Sequence, residues 1–513
     1  MARRLMGWAK RALVILVVIL LTIVAVRIYD IQRGPSLQPW HTYVPQELDA
    51  DALDATDWNG YLQAEERLFK ETKDYLRTHL PEDAKVASNR YFEGSPLHPS
   101  KFSHDWNRSF VMEPEGEPQG AVVLLHGLTD APYSLRHVGH YYRDRGYVVI
   151  GLRVPGHGTV PAGLAAADAE EWMAATRLAV READRRVGPD RPLHLVGYSN
   201  GAALAVKYAL DVIEHGQGRQ ADRIVLISPM IGVSGFARFA GLASLPAVLP
   251  AFSKAAWLDV LPEYNPFKYN SFPVRAARKS RQVSVALQEQ VVRLARKGQL
   301  EGMPPVLTFQ SVLDATTNAP AVVKAFYTHL PENGSELVLY DVNRSTKFGL
   351  LLRTSADNAI TRQLPEEPQR YRIQVIESAA DGGAVVRVRE PGRLDEQVHA
   401  LGVDWPAQVF SLSHIALPFP VTDALYGMYP DDDEDFGIHL GEISPHGERG
   451  SLIIGMDTLQ RISSNPFFEH LLDKIGAGIE GGEPAAAQTD AGESAPAEPV
   501  AAPVQPEVSI PSR

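Results

Sequence analysis

Five short, largely apolar runs, each separated from the next by a stretch of helical spacing, constrain this chain more than anything else in it. The runs are 121–125 (AVVLL), 147–152 (YVVIGL), 193–196 (LHLV), 224–227 (IVLI) and 305–309 (PVLTF). Helical patterns at 134–145, 169–186, 202–213 and 321–330 fall between or after them. A strand apolar on both sides must be covered on both faces. The alternation therefore predicts a mostly parallel sheet flanked by helices, an α/β fold. Such sheets present reactive groups at the carboxyl ends of their strands, so chemistry is sought where each run stops.

The two ends of the chain read differently. Arg3, Arg4, Lys10 and Arg11 precede the uncharged run 12–26 (ALVILVVILLTIVAV), which Arg27 closes. Fifteen residues reach roughly 22 Å along a helix, and snorkelling by Arg11 and Arg27 makes up the rest of a ~30 Å hydrocarbon core. No small-residue cleavage site follows, so residues 1–33 read as an uncleaved signal anchor with its helix at about 12–28. The basic excess ahead of the run keeps the N-terminus cytoplasmic and puts the rest of the chain outside the inner membrane. Residues 34–105 read as a helical extension, with an amphipathic helix at 58–80 stopped by Pro81. The α/β domain is expected to span 106–475, and 476–513, rich in Ala, Pro, Glu and Gly, reads as a disordered tail. A G-x-G-x-x-G match at 476–481 follows no strand and is discarded.

The strand at 193–196 runs into Gly197-Tyr198-Ser199-Asn200-Gly201, a G-x-S-x-G pentapeptide, with an Ala-rich helix after it. A serine on so sharp a strand-to-helix turn needs small neighbours, and Ser199 is the candidate nucleophile. The first strand ends in His126-Gly127-Leu128. The backbone N–H groups of Leu128 and Asn200 are the candidate oxyanion donors, while His126 and His157 are read as structural. A hydroxyl needs a base, and the base a carboxylate that orients it. Asp314 stands at the carboxyl end of the strand at 305–310, with Asp341 and Asp423 as rivals. His414 ends the strand-like run 409–413, with His329, His439 and His446 as rivals. The order Ser199, Asp314, His414 is that of the α/β-hydrolases.

Over about 121–210 the motifs HGLTDAPYSLR, GYVVIGLRVPGHGT, EEW and LVGYSNGAALAVKYAL resemble the monoacylglycerol lipase and bacterial carboxylesterase branch of those enzymes, the serine aminopeptidase-like group. The resemblance implies a serine hydrolase that works through an acyl-enzyme. Acid and base are 100 positions apart here, where the family has a few tens. The reading is that 336–342 forms the last sheet strand and that about 343–408 is an insertion, with a hairpin over YRIQVIES-AADGG-AVVRVRE. The apolar stretch within about 229–300 is where this architecture sets a cap over the serine, and its composition favours an acyl chain.

Composition closes off several classes. The chain has 513 residues, no cysteine and a formal charge of −12. The first excludes nothing by itself; the second excludes disulfides, thiolate metal sites and a cysteine nucleophile, and the third disfavours nucleic acid. The acidic run 431–435 lacks EF-hand spacing, and neither a metal site nor a nucleotide cofactor is predicted. The expectation is a membrane-anchored hydrolase of carboxylic esters, with monoacylglycerols and lysophospholipids as candidate substrates. Acyl transfer or peptide hydrolysis on the same residues stays open, as does a catalytically idle binding module.

Overall fold

In the computed structural model, residues 34–232, 250–345, 353–379, 381–431, 433–443 and 455–480 are described, with scattered positions of the first 26. Among the described residues no helix is long and apolar enough to cross a membrane. Residues 10–19 of the expected anchor are helical; 20, 21, 23–25 and 27–33 lie outside the described residues, as do 481–513 of the expected tail.

Ten strands form one sheet in the order β1-β3-β2-β4-β5-β8-β9-β10-β11-β12. They are β1 (Phe110–Met112), β2 (Gly120–Leu125), β3 (Tyr147–Leu152), β4 (Leu193–Tyr198), β5 (Arg223–Ile227), β8 (Val306–Ser311), β9 (Glu336–Tyr340), β10 (Arg372–Ser378), β11 (Gly383–Arg389) and β12 (Glu396–Asp404). The seven strands from β3 to β10 run parallel, while β1 at one edge and β11–β12 at the other are antiparallel. A small ribbon, β6 (Trp257–Asp259) with β7 (Phe272–Pro273), stands apart. Successive side chains of a strand face opposite sides, and the core divides accordingly. Val123, Leu195 and Leu226 pack with the 169–187, 200–215 and 274–296 helices. Val122, Val196 and Val225 pack with the 136–143 and 468–479 helices on the other face.

The sheet does not stop at 336–340, as the sequence reading had it. β10 adds in parallel register to β9, from Arg372 opposite Glu336 to Ile376 opposite Tyr340. The hairpin to β11 then extends the sheet, and β12 closes it. Ile373 and Val375 supply one core face, and Ile376, Ala384 and Val386 the other. The segment read as an insertion thus contributes three strands to the sheet, and it accounts for the long separation of Asp314 and His414.

The expected cap also divides. Residues 233–249 lie outside the described residues. The 274–296 helix belongs to the helical layer against the 200–215 helix, its Ser280 hydroxyl donating to Asn200 Oδ1 at 2.6 Å. Of the cap's described residues, Met230, the ribbon and the loop between the ribbon's strands line the cavity that holds Ser199.

The helix Trp58–His79 starts where Asp57 accepts the Gly60 N–H at 2.8 Å, and it ends one residue before Pro81. Its buried stripe carries Trp58, Tyr61, Leu68 and Leu76, and also Glu65. Glu65 and Glu47 hold the buried Arg153 guanidinium at 2.9 and 2.8 Å. A charge so buried must be paired. This pairing fastens the extension to the loop after β3.

Candidate active site

Ser199 sits between β4 and the 200–215 helix with φ 55° and ψ −113°, a backbone that an L-residue adopts only under constraint. The two flanking glycines remove the obstacles. A Cβ on Gly201 would lie 2.0 Å from the Leu125 carbonyl oxygen, and one on Gly197 would lie 2.4 Å from Ala202 Cα. Both neighbours are backbone and cannot yield. The turn is pinned further by Ser199 N–H to Ile227 O at 2.9 Å and by Met230 N–H to Ser199 O at 3.0 Å.

His414 and Asp314 meet across the 100 positions between them. His414 Nδ1 is 2.8 Å from Asp314 Oδ2. Asp314 also accepts from the backbone N–H groups of Thr316 and Thr317, at 2.8 and 2.9 Å, and from the Thr317 hydroxyl at 2.8 Å. Gln310 Nε2 donates at 3.1 Å. Burial by itself would raise this carboxyl; the facing His414 ring and the donated hydrogen bonds outweigh it and hold it well below the usual carboxylate range. The sequence reading named Asp314 but not its donors. The Asp-Ala-Thr-Thr order was their available signal, because an Asp beside threonines commonly caps its own turn.

Ser199 and His414 line one cavity of about 270 Å³, together with Gly127 and Leu128. Tyr198, next to the serine, packs its ring 5.4 Å from the His414 ring and donates its hydroxyl to His414 O at 3.2 Å. Among the described residues no protein acceptor takes the N–H of Leu128 or of Asn200. For Asn200 this follows from its place in the first turn of a helix, where N–H groups have no partner within the helix.

The rivals stand elsewhere. Asp341 receives Arg344 at 2.5 Å. Asp423 is fully buried and accepts from Tyr133, Arg136 and His137 at 3.0, 2.6 and 2.9 Å. Burial opposes its ionisation, but the Arg136 guanidinium and the His137 hydrogen bond keep it well below the carboxylate range. His439 bonds the Ala424 carbonyl through Nδ1 at 2.8 Å, and His329 ends a turn at Tyr327–His329. His446 lies outside the described residues. His126 accepts the Val154 N–H through Nε2 at 3.0 Å, and burial pushes it well below the usual histidine range. Burial likewise lowers His157 to about 4. Both rings stay neutral and brace the turns around the serine.

The lining is mixed: Leu128, Met230, Leu261, Phe272, Ile415 and Ile462 give it an apolar wall, and polar groups interrupt that wall. Asp259, Tyr264, Asn265, Lys268 and Asn270, all from the ribbon and its loop, face the cavity with Arg461. No group of three or more His, Cys, Asp or Glu able to hold a metal occurs among the described residues.

A parallel sheet with a serine at a positive-φ turn after a central strand defines an α/β-hydrolase. Residues 116–341 match the family described as serine aminopeptidase, S33, and that match supports an α/β-hydrolase of this branch over the segment. Solved structures that it is similar to include one from a study of two metagenome-derived lipolytic enzymes, LipS and LipT, at 22% identity with a TM-score of 0.37. That match covers 46% of this chain and 88% of the other. A soluble variant of monoglyceride lipase from Saccharomyces cerevisiae, in complex with a substrate analogue, has 16% identity and a TM-score of 0.37, covering 45% and 81%. A thermostable carboxyl esterase from Bacillus coagulans, in complex with glycerol, has 16% identity and a TM-score of 0.34, covering 45% and 83%. No curated protein matches the chain.

Proposed function

We propose that this chain is a serine hydrolase of carboxylic esters. The observation that supports it most is the 2.8 Å pairing of His414 with Asp314 at a cavity that Ser199 shares. In this reading Ser199 Oγ attacks the ester carbonyl carbon while His414 takes the hydroxyl proton. The oxygen that becomes negative is held by the N–H groups of Leu128 and Asn200, each worth on the order of 10²–10³ in rate. The C–O bond to the alcohol then breaks, and His414 returns the proton to the leaving oxygen. Water repeats the sequence on the acyl-enzyme, releasing the acid and restoring Ser199. Asp314 fixes the tautomer of the imidazole and faces the charge that it gains.

Hydrolysis of p-nitrophenyl esters from acetate to palmitate tests this reading. Turnover is expected to be greatest on the short chains, since a cavity of about 270 Å³ is small for a ligand pocket and leaves a long acyl chain little room. A palmitate optimum would overturn the size preference. No turnover on any ester, with no labelling by a fluorophosphonate probe, would overturn the hydrolase.

Anchorage at a membrane belongs to the same proposal and rests on the basic residues before the apolar run 12–26. The full chain is expected to sediment with membranes and to resist extraction by high salt and carbonate, whereas a chain starting at Gly34 stays in the supernatant. Release of the full chain by salt alone would sink this part.

A further inference from the structure

The cavity holds two cations for which ester cleavage has no use. Lys268 and Arg461 line it beside Ser199 and His414. Lys268 comes from the loop between β6 and β7 and is half-buried. Among the described residues its ammonium forms no hydrogen bond and no ion pair within 4.0 Å. Asp130 opposes its charge from behind the cavity wall, but that buried carboxylate accepts the Ala131 N–H at 3.0 Å. Burial lowers the Lys268 ammonium from its ordinary range; Asp130 works against that shift and Arg461 with it.

Arg461 is fastened to the catalytic loops. Its Nη2 donates to Thr316 Oγ1 at 2.6 Å, two residues from Asp314. Its carbonyl accepts the Ser413 hydroxyl at 2.6 Å, one residue from His414. Arg461 is thus tied to both loops, by its guanidinium to the one that carries the acid and by its carbonyl to the one that carries the base. Asp259, the third charged side chain on the lining, is exposed, as is Arg461, so Lys268 is the half-buried charge of the three.

An ammonium has three donors, and holding it in a partly dry cavity without an acceptor is costly. A wholly apolar ligand would deepen that cost by displacing the remaining water. An anion in the cavity reverses it, because charge-assisted hydrogen bonds are stronger than neutral ones. We propose that the site selects esters bearing an anionic group, carboxylate or phosphate, near the scissile bond, with Lys268 and Arg461 as the specificity-determining residues. This rests on the serine-hydrolase reading above and names the substrate class of that site.

Matched ester pairs on the purified full chain test it. Monomethyl glutarate against methyl valerate puts the carboxylate on the acyl part, and 4-acetoxybenzoate against phenyl acetate puts it on the leaving group. The 4-acetoxyphenyl phosphate arm replaces carboxylate by phosphate. The anionic member of at least one pair is expected to be favoured about 10- to 100-fold in kcat/KM, the scale of a hydrogen bond to a charged group. Lys268→Met and Arg461→Gln each reduce that ratio, chiefly through KM, and Lys268→Arg retains it. A variant that folds poorly lowers both members of a pair and leaves the ratio alone. A preference for the neutral member in every pair, or a ratio that neither variant moves, would overturn the inference while leaving the hydrolase intact. Absence of turnover on every ester, with no fluorophosphonate labelling, would instead overturn the hydrolase reading and the inference with it.

Discussion

Ser199→Ala is expected to lower kcat on any accepted ester by about 10⁴- to 10⁶-fold, the range found when a hydrolase loses its nucleophile. Alanine keeps the Cβ and meets the same φ of 55° as serine, so the turn imposes no new strain. The substitution removes a hydroxyl that no named backbone bond of the turn requires, since those bonds use the Ser199 N–H and carbonyl. Circular dichroism and thermal midpoint should therefore stay close to those of the parent chain. Labelling by a fluorophosphonate probe should vanish. Activity within tenfold of the parent in a folded variant would remove Ser199 from the mechanism and return the chain to the binding-module reading.

Asp314→Asn is expected to cost about 10⁴-fold in kcat, with KM little changed. An asparagine can still accept the Thr316 and Thr317 N–H groups through Oδ1, which keeps the turn. It loses the second carboxylate oxygen, on which His414 Nδ1, the Thr317 hydroxyl and Gln310 converge. An amide NH₂ in that place faces the imidazole with a donor and turns it to the wrong tautomer. The pH dependence has a defined sign. The folded-state pKa of Asp314 lies below its unfolded value, so its contribution to stability is fully present above the unfolded value, ~3.9. It is lost as pH falls through the folded pKa. Protonation of Asp314 therefore does not limit activity above about pH 4. A parent enzyme whose activity falls at higher pH owes that limb to another group. An Asp314→Asn variant with parental kcat would show that another carboxylate orients the base.

How much of the site the sequence carried depended on how local each signal was. Ser199 was legible because the elbow is a contiguous pentapeptide: Gly197 answers a steric demand at Ala202 within the same turn, although the demand on Gly201 comes from Leu125 on the neighbouring strand. Asp314 and His414 could be nominated from strand ends, but their 2.8 Å meeting depends on how the chain between them folds. Of that intervening chain the hairpin was read and its joining of the sheet was not. β10 and β11 alternate as a hairpin does, and β12 is largely exposed, but a hairpin's own pattern does not say which strand its edge will pair with, so nothing local marked them as a continuation of the sheet. The cap was judged by an apolar stretch that includes 233–249, outside the described residues, whereas the part of it that lines the cavity lies at 259–272 and mixes Leu261 and Phe272 with Asp259, Asn265, Lys268 and Asn270.

The sequence by itself determined the α/β class, the serine turn and the two free N–H positions beside it, because each arises within one strand and the turn that follows. Tertiary structure alone decided which acid meets which histidine and how far the sheet extends. It also decided that Arg153 is held by Glu47 and Glu65, 106 and 88 positions upstream, and that Lys268 and Arg461 share a cavity with Ser199. Those partners are remote in the chain. Hydrogen bonds and ion pairs act over a few ångströms, and only the packing of the whole sheet with its layers brings such groups that close.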